Sequence, residues 1–141
     1  MTTMNNFIGA WKLISVEDYE AGGGVTYPYG RNPAGLLIYD ASGYMSVQIM
    51  RRDREPLSSD KWEETRAEEI KSTVEGFTAF FGTYEVDEQK KTIIHRVEGH
   101  LLPGSAGKEL KRSYEFSDNL LILRPSATRR VVWERLAPCS R

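Results

Sequence analysis

Along most of the chain, apolar side chains recur at every second residue, in short runs broken by Gly, Pro, Asn and Asp. A period of two marks half-buried strands, because successive Cβ atoms point to opposite faces. A chain written this way must bury one face of every run and must pair or hide every strand edge. AWKLISVEDYE (10–20) is the first candidate strand. LLIYD (36–40) and YMSVQIM (44–50) flank ASG and predict a hairpin with a short Gly-containing turn. FTAFFGTYEVD (77–87) and TIIHRVEGHL (92–101) lie on either side of EQKK. ELKRSYEFS (109–117), LLILRP (120–125) and RRVVWERL (129–136) follow. Residues 21–35 and 102–108, rich in Gly and Pro, are loops.

One segment departs from alternation. Residues 58–76 are rich in Glu, Lys, Arg and Ala and predict a helix over 60–75, between the third and fourth strands. Asp60 and Glu63 are its candidate N-cap pair and Gly76 its stop. Trp62, Ile70 and Val74, beside Ala67, form only a thin apolar stripe. So narrow a stripe suits a helix laid against a sheet or one that covers an opening, and both readings stand.

Eight sequential strands in 141 residues predict an all-β fold, an eight-stranded antiparallel up-and-down barrel forming one domain over 1–141. Closure removes the exposed edges, and the interior of such a barrel either fills with side chains or holds one small ligand. A two-sheet sandwich shares the same alternation and stays open.

Charge and composition narrow the function classes. The formal net charge is −1 with a pI near 6.2, so no large field steers the chain to nucleic acid or an anionic membrane. RRDRE (51–55) is interrupted by acids and reads as a solvated loop. No apolar run approaches the ~20 residues of a membrane helix. The one cysteine, Cys139, leaves no intramolecular disulfide and argues against a thiolate metal site. MTTMNNFIGAW lacks the basic start and apolar stretch of a signal peptide, so a cytoplasmic location is expected. PGSAGKE (103–109) has neither nucleophile-elbow nor phosphate-loop spacing, and the glycines at 22–24 precede no helix. No cofactor and no metal are expected.

Chemistry concentrates on the strand containing His95. Ile93, His95 and Val97 share one face, and Thr92, Arg96 and Glu98 share the other, so His95 points inward. By the same parity Leu110, Arg112, Tyr114 and Phe116 face in, as do Phe80, Gly82, Tyr84 and Val86. An inward Arg112 needs an anion. Glu17, on a face with Trp11, Leu13 and Ser15, is one candidate and a ligand carboxylate the other. His100 lies an odd five residues from His95 and is expected on the opposite face, which prevents the two from sharing a metal ion. Three uses of a His95, Arg112, Tyr114 and Tyr84 patch remain: an internal polar network, ligand recognition, or proton transfer by His95 with Tyr84 or Tyr114.

Gly9-Ala10-Trp11 at the first strand and VVWERL at the last resemble the lipocalins. That resemblance implies that Trp11 plugs a closed barrel end and that Arg135, or less readily Arg130, packs across it. PYGRNPAGLLIYDASGYMSVQI (28–49), FFGTYEVDE (80–88), IIHRVEG (93–99) and VWER (132–135) are similar to the lipocalin-like domain family, small calycin-type proteins of bacteria and fungi. The resemblance implies an architecture; the favoured function is binding of a small, mainly apolar molecule with a polar or anionic group, with His95, Arg112, Tyr114, Tyr84, Trp11 and Trp133 as the candidate site. The alternative is a cofactor-free isomerase or cyclase acting on a small hydrophobic substrate. A filled barrel with a structural or partner-binding role is the third reading. The expected partner is a small hydrophobic ligand, with neither nucleic acid nor membrane, and a homodimer is compatible with the sequence.

Overall fold

A computed structural model of the protein describes residues 3–139. The alternating runs become strands β1 (Gly9–Tyr19), β3 (Ala34–Tyr39), β4 (Tyr44–Met50), β5 (Phe77–Asp87), β6 (Thr92–His100), β7 (Glu109–Ser117), β8 (Leu120–Ser126) and β9 (Arg129–Arg135). Each pairs antiparallel with the next, and β1 closes the ring on β9 from Trp11↔Arg135 to Asp18↔Arg129. Closure yields the eight-stranded barrel and sets the sandwich aside. A two-residue strand, β2 (Val25–Thr26), pairs with the end of β1 and lies outside the ring.

The hairpin between β3 and β4 turns where expected. Gly43 takes φ +99°, a left-handed conformation that glycine adopts without a Cβ clash, and the Asp40 carboxylate accepts from the Ser42 N–H at 2.8 Å.

Helix α2 (Ala67–Glu75) falls between β4 and β5, the third and fourth strands of the ring. It is shorter than the expected 60–75. Trp62–Glu64 forms a separate 3-10 turn, and extended backbone at Thr65 and Arg66 keeps the two apart. Asp60 and Glu63 therefore do not cap the helix. Glu69 does: its Oε2 accepts the Arg66 N–H at 2.9 Å, and the same carboxylate holds Ser58. The expected stop stands at Gly76, whose N–H bonds the Ser72 carbonyl. No side chain of α2 is buried.

A short helix at the N-terminus, α1 (Thr3–Phe7), has no strand periodicity to announce it. It seals one end of the barrel. Phe7 is fully buried, edge-on to Tyr39 and Tyr114, and its carbonyl accepts from Trp11 Nε1 at 2.9 Å. The Arg135 guanidinium lies 4.2 Å from the Trp11 ring centre and donates to the carbonyls of Asn6 and Ile8. Trp11 is the plug and Arg135, not Arg130, packs across it.

Two bulges alter which residues face inward. On β1 the register shifts between Leu13 and Ser15, leaving Ile14 as the extra residue. On β6, Gly99 pairs with Phe81 and Val97 with Gly82, leaving Glu98 as the extra one. Gly82 is required there, because a Cβ would stand 1.9 Å from the Arg96 carbonyl oxygen.

Candidate functional site

Above the aromatic plug the barrel keeps a cavity of about 210 Å³. Its lining comes from the strand ends opposite the plug. Val16, Leu37, Val47, Ile49, Leu123 and Val131 supply an apolar wall, and Trp133 closes it toward the plug. Phe80, Thr78, Pro125 and Leu110 also line it. Tyr29, from the loop between β2 and β3, lies at the mouth. None of the lining residues belongs to α2, so the loop between β2 and β3 contributes to the mouth where the helix does not.

His95 occupies the inner face of β6, as parity requires, and is 2% exposed between buried Ile93 and Val97. Its Nε2 lies 2.6 Å from the hydroxyl of Tyr39, across the interior on β3. Burial pushes the imidazole pKa down to about 3, and the charge of Arg112 adds to the shift. Burial likewise pushes the Tyr39 phenol far up. Both groups are therefore neutral near pH 7. A neutral phenol donates to a neutral imidazole nitrogen, so Nε2 accepts and the ring proton sits on Nδ1. That Nδ1 is buried and has no hydrogen-bond partner among the described residues. Trp133 Nε1 is in the same condition.

Arg112 also lines the cavity, with burial drawing its pKa down. Glu17 does not meet it. Beyond the bulge at Ile14 the inward set is Val16 and Asp18, and Glu17 turns outward to Ser15, Tyr19 and Arg130. Simple alternation failed there because one inserted residue reverses the parity of every residue after it. Among the described residues Arg112 has no carboxylate within ion-pair distance. The second cavity arginine, Arg129, is matched: its Nε and Nη2 donate to the two oxygens of Asp18 at 2.7 and 2.9 Å. This fork raises the Arg129 pKa and lowers that of Asp18.

His100 corrects a second expectation from parity. The bulge at Glu98 swings it onto the cavity side, where it stacks on Phe80 at 5.3 Å and 3° while Phe80 also contacts His95. Opposite faces therefore do not separate the two histidines. His95 Nε2 is nevertheless engaged by Tyr39, and His100 Nδ1 accepts the Leu102 N–H. Among the described residues no group of three His, Cys, Asp or Glu side chains is placed to hold a metal ion.

The remaining candidates lie at the plug. Tyr84 packs on Tyr39 with ring centres 4.7 Å apart and donates to the Asp40 carbonyl at 2.7 Å. Tyr114 meets Phe7 and Phe116 edge-on, and Trp11 sits beside them. Of the six residues singled out from sequence, His95, Arg112 and Trp133 line the cavity, while Tyr84, Tyr114 and Trp11 do not. Tyr39 was missed, although LLIY has the parity that puts Leu37 and Tyr39 on one buried face. Tyr29, His100 and Arg129 were missed with it. For Tyr29 no periodic signal existed, since its segment is a loop.

Among known proteins, the family model described as a lipocalin-like domain matches residues 8–137, nearly the whole chain. No curated protein matches the sequence. Among the described residues no helix is long and apolar enough to cross a membrane.

Proposed function

The chain belongs to the lipocalin-like domain family, and from that premise we propose that its barrel binds a small, mainly apolar molecule carrying one polar or anionic group. The fold is a container suited to small molecules in general. The observation that carries the finer reading is a cavity with an apolar wall, lined by two residues with buried donors, His95 Nδ1 and Trp133 Nε1, that no group among the described residues satisfies. Unmet buried polar groups cost ~1–3 kcal/mol each, and a ligand that meets them recovers that cost on binding. A barrel filled for purely structural reasons gains nothing by keeping unmet donors on residues that line a cavity.

A cofactor-free isomerase or cyclase is the second reading, and one contact favours it: the 2.6 Å pair of Tyr39 and His95. Tyr39 would replace Tyr84 or Tyr114 as the partner of His95. Basicity weighs against it. An imidazole with a pKa near 3 is a weak general base at neutral pH. Binding is therefore preferred.

Native mass spectrometry of protein purified without denaturation, and titration with 1-anilinonaphthalene-8-sulfonate, test the reading. Stoichiometric binding blocked by Leu110→Trp, which fills the cavity from β7, is the expected result. Absence of binding, or binding indifferent to Leu110→Trp in a folded protein, would count against a cavity ligand.

A further inference from the structure

We propose that the ligand is a monocarboxylate that enters head first and seats its carboxylate on Arg112, with His95 Nδ1 and Trp133 Nε1 completing its hydrogen bonds. This rests on the small-molecule reading above and names the head group for it.

The charge count selects a monoanion. Two arginines line the cavity, and Asp18 neutralises Arg129 through both carboxylate oxygens. Both cavity histidines are held toward the neutral form, His95 by burial and the nearby Arg112, His100 by burial and Lys108. One positive charge, on Arg112, is left without a counter-charge in the cavity. A phosphate dianion would bring one negative charge too many, and an ammonium group would meet Arg112 as a like charge.

The hydrogen-bond inventory selects an acceptor. Arg112 only donates. Trp133 Nε1 only donates, and His95 Nδ1 donates because Nε2 is occupied by the Tyr39 hydroxyl. The three groups thus ask for lone pairs and offer none. A carboxylate provides about four lone-pair sites and no hydrogen, and its plane matches a guanidinium fork. A hydroxyl head accepts at fewer sites, carries a proton for which no acceptor is open, and leaves Arg112 uncompensated.

Register sets the direction of entry. Arg112 is level with Ile93, one inward step deeper than the His95–Leu110 pair. Trp133 is level with Leu13 and Leu121, next to the plug. The mouth carries Thr78, His100, Pro125 and the neutral Asp18–Arg129 pair. Between the two levels the wall is Val131, Leu123, Val47 and Ile49. A head group at the bottom and a hydrocarbon tail toward the mouth fit that arrangement.

Calorimetric titration of the intact protein with octanoate, 1-octanol, octylamine and octyl phosphate tests this with the tail held constant. Octanoate should bind roughly 10- to 100-fold more tightly than octanol, the range for a charge-assisted hydrogen bond at a buried site. Octylamine and octyl phosphate should both be weaker than octanoate. Arg112→Met should reduce octanoate to about the level of octanol while weakening octanol far less. Arg112→Lys, which keeps the charge and loses the fork, should fall between. Octanoate should also shift the Trp133 indole N–H resonance in wild type. Should Arg112→Met not fold, the wild-type ratio and the Trp133 shift decide. If none of the four compounds binds, the small-molecule reading itself fails and takes the proposal with it. If octanol or octyl phosphate equals octanoate, or folded Arg112→Met keeps the preference, the carboxylate assignment is overturned while the container reading stands.

Discussion

Truncating Trp11 to Ala tests whether the closed end is built as described. The side chain is 1% exposed and is roofed by Arg135 at 4.2 Å. A buried Trp→Ala change costs ~3–5 kcal/mol for lost transfer energy and the cavity left behind. Loss of the cation–π contact adds ~0.5–1 kcal/mol, since Arg135 is an exposed residue. The Phe7 carbonyl, deprived of its 2.9 Å donor, adds part of the ~1–3 kcal/mol of an unmet buried group. These contributions overlap because they share one site, so ~4–6 kcal/mol is the expected total. For a chain of this size each kcal/mol moves Tm by roughly 3–4 °C, which gives a fall of about 12–24 °C. Calorimetry of wild type, Trp11→Ala and Trp11→Phe would measure it, with the Phe variant keeping most of the volume and losing less. A Trp11→Ala protein melting within a few degrees of wild type would refute the plug, because none of the three losses could then be real.

Three further outcomes are expected. The His95 pKa is depressed on folding from 6.5 to about 3, so its contribution to stability is complete above 6.5 and is lost as pH falls through the window down to 3. The loss reaches about 2–3 kcal/mol by pH 4.5. Denaturant titrations should show wild type weakening between pH 6.5 and 4.5, and His95→Phe weakening much less, with only the share of His100, whose pKa burial and Lys108 also lower, left in that window. The Asp18 and Glu17 carboxyls, held low by their bonds to Arg129 and to Ser15, Tyr19 and Arg130, add their loss at lower pH. Amide exchange in α2 should be much faster than in β6, since no side chain of the helix is buried, and equal protection would show packing absent from this structure. Gly82→Ala should cost ~3 kcal/mol, because its Cβ collides with backbone rather than a movable side chain. A urea midpoint unchanged by that substitution would mean the bulge at Glu98 is not tightly formed.

Alternation, turn chemistry and length were enough to determine an all-β chain of eight main strands, with one helix between the third and fourth. The same local rule placed His95, Arg112 and Tyr114 inside, because Arg96, Glu98, Lys111 and Glu115 need water on the other face. Parity is reliable only within an unbroken ladder. Where Ile14 and Glu98 are inserted, every later side chain changes face, and so Glu17 left the interior and His100 entered it. Nothing in the local pattern marks those insertions, since both are set by how a partner strand coils around the barrel.

Closure itself belongs to the tertiary structure. Joining β1 to β9 brings Asp18 against Arg129, 111 residues apart, and removes Arg129 from the set of unmatched cations. Barrel curvature brings Tyr39 on β3 to His95 on β6, strands that share no hydrogen-bonded edge. A strand's own sequence records which side its residues face, because that preference is settled by water against core at each position. It does not record which residue lies across the interior, since that depends on the tilt, stagger and closure of all eight strands together.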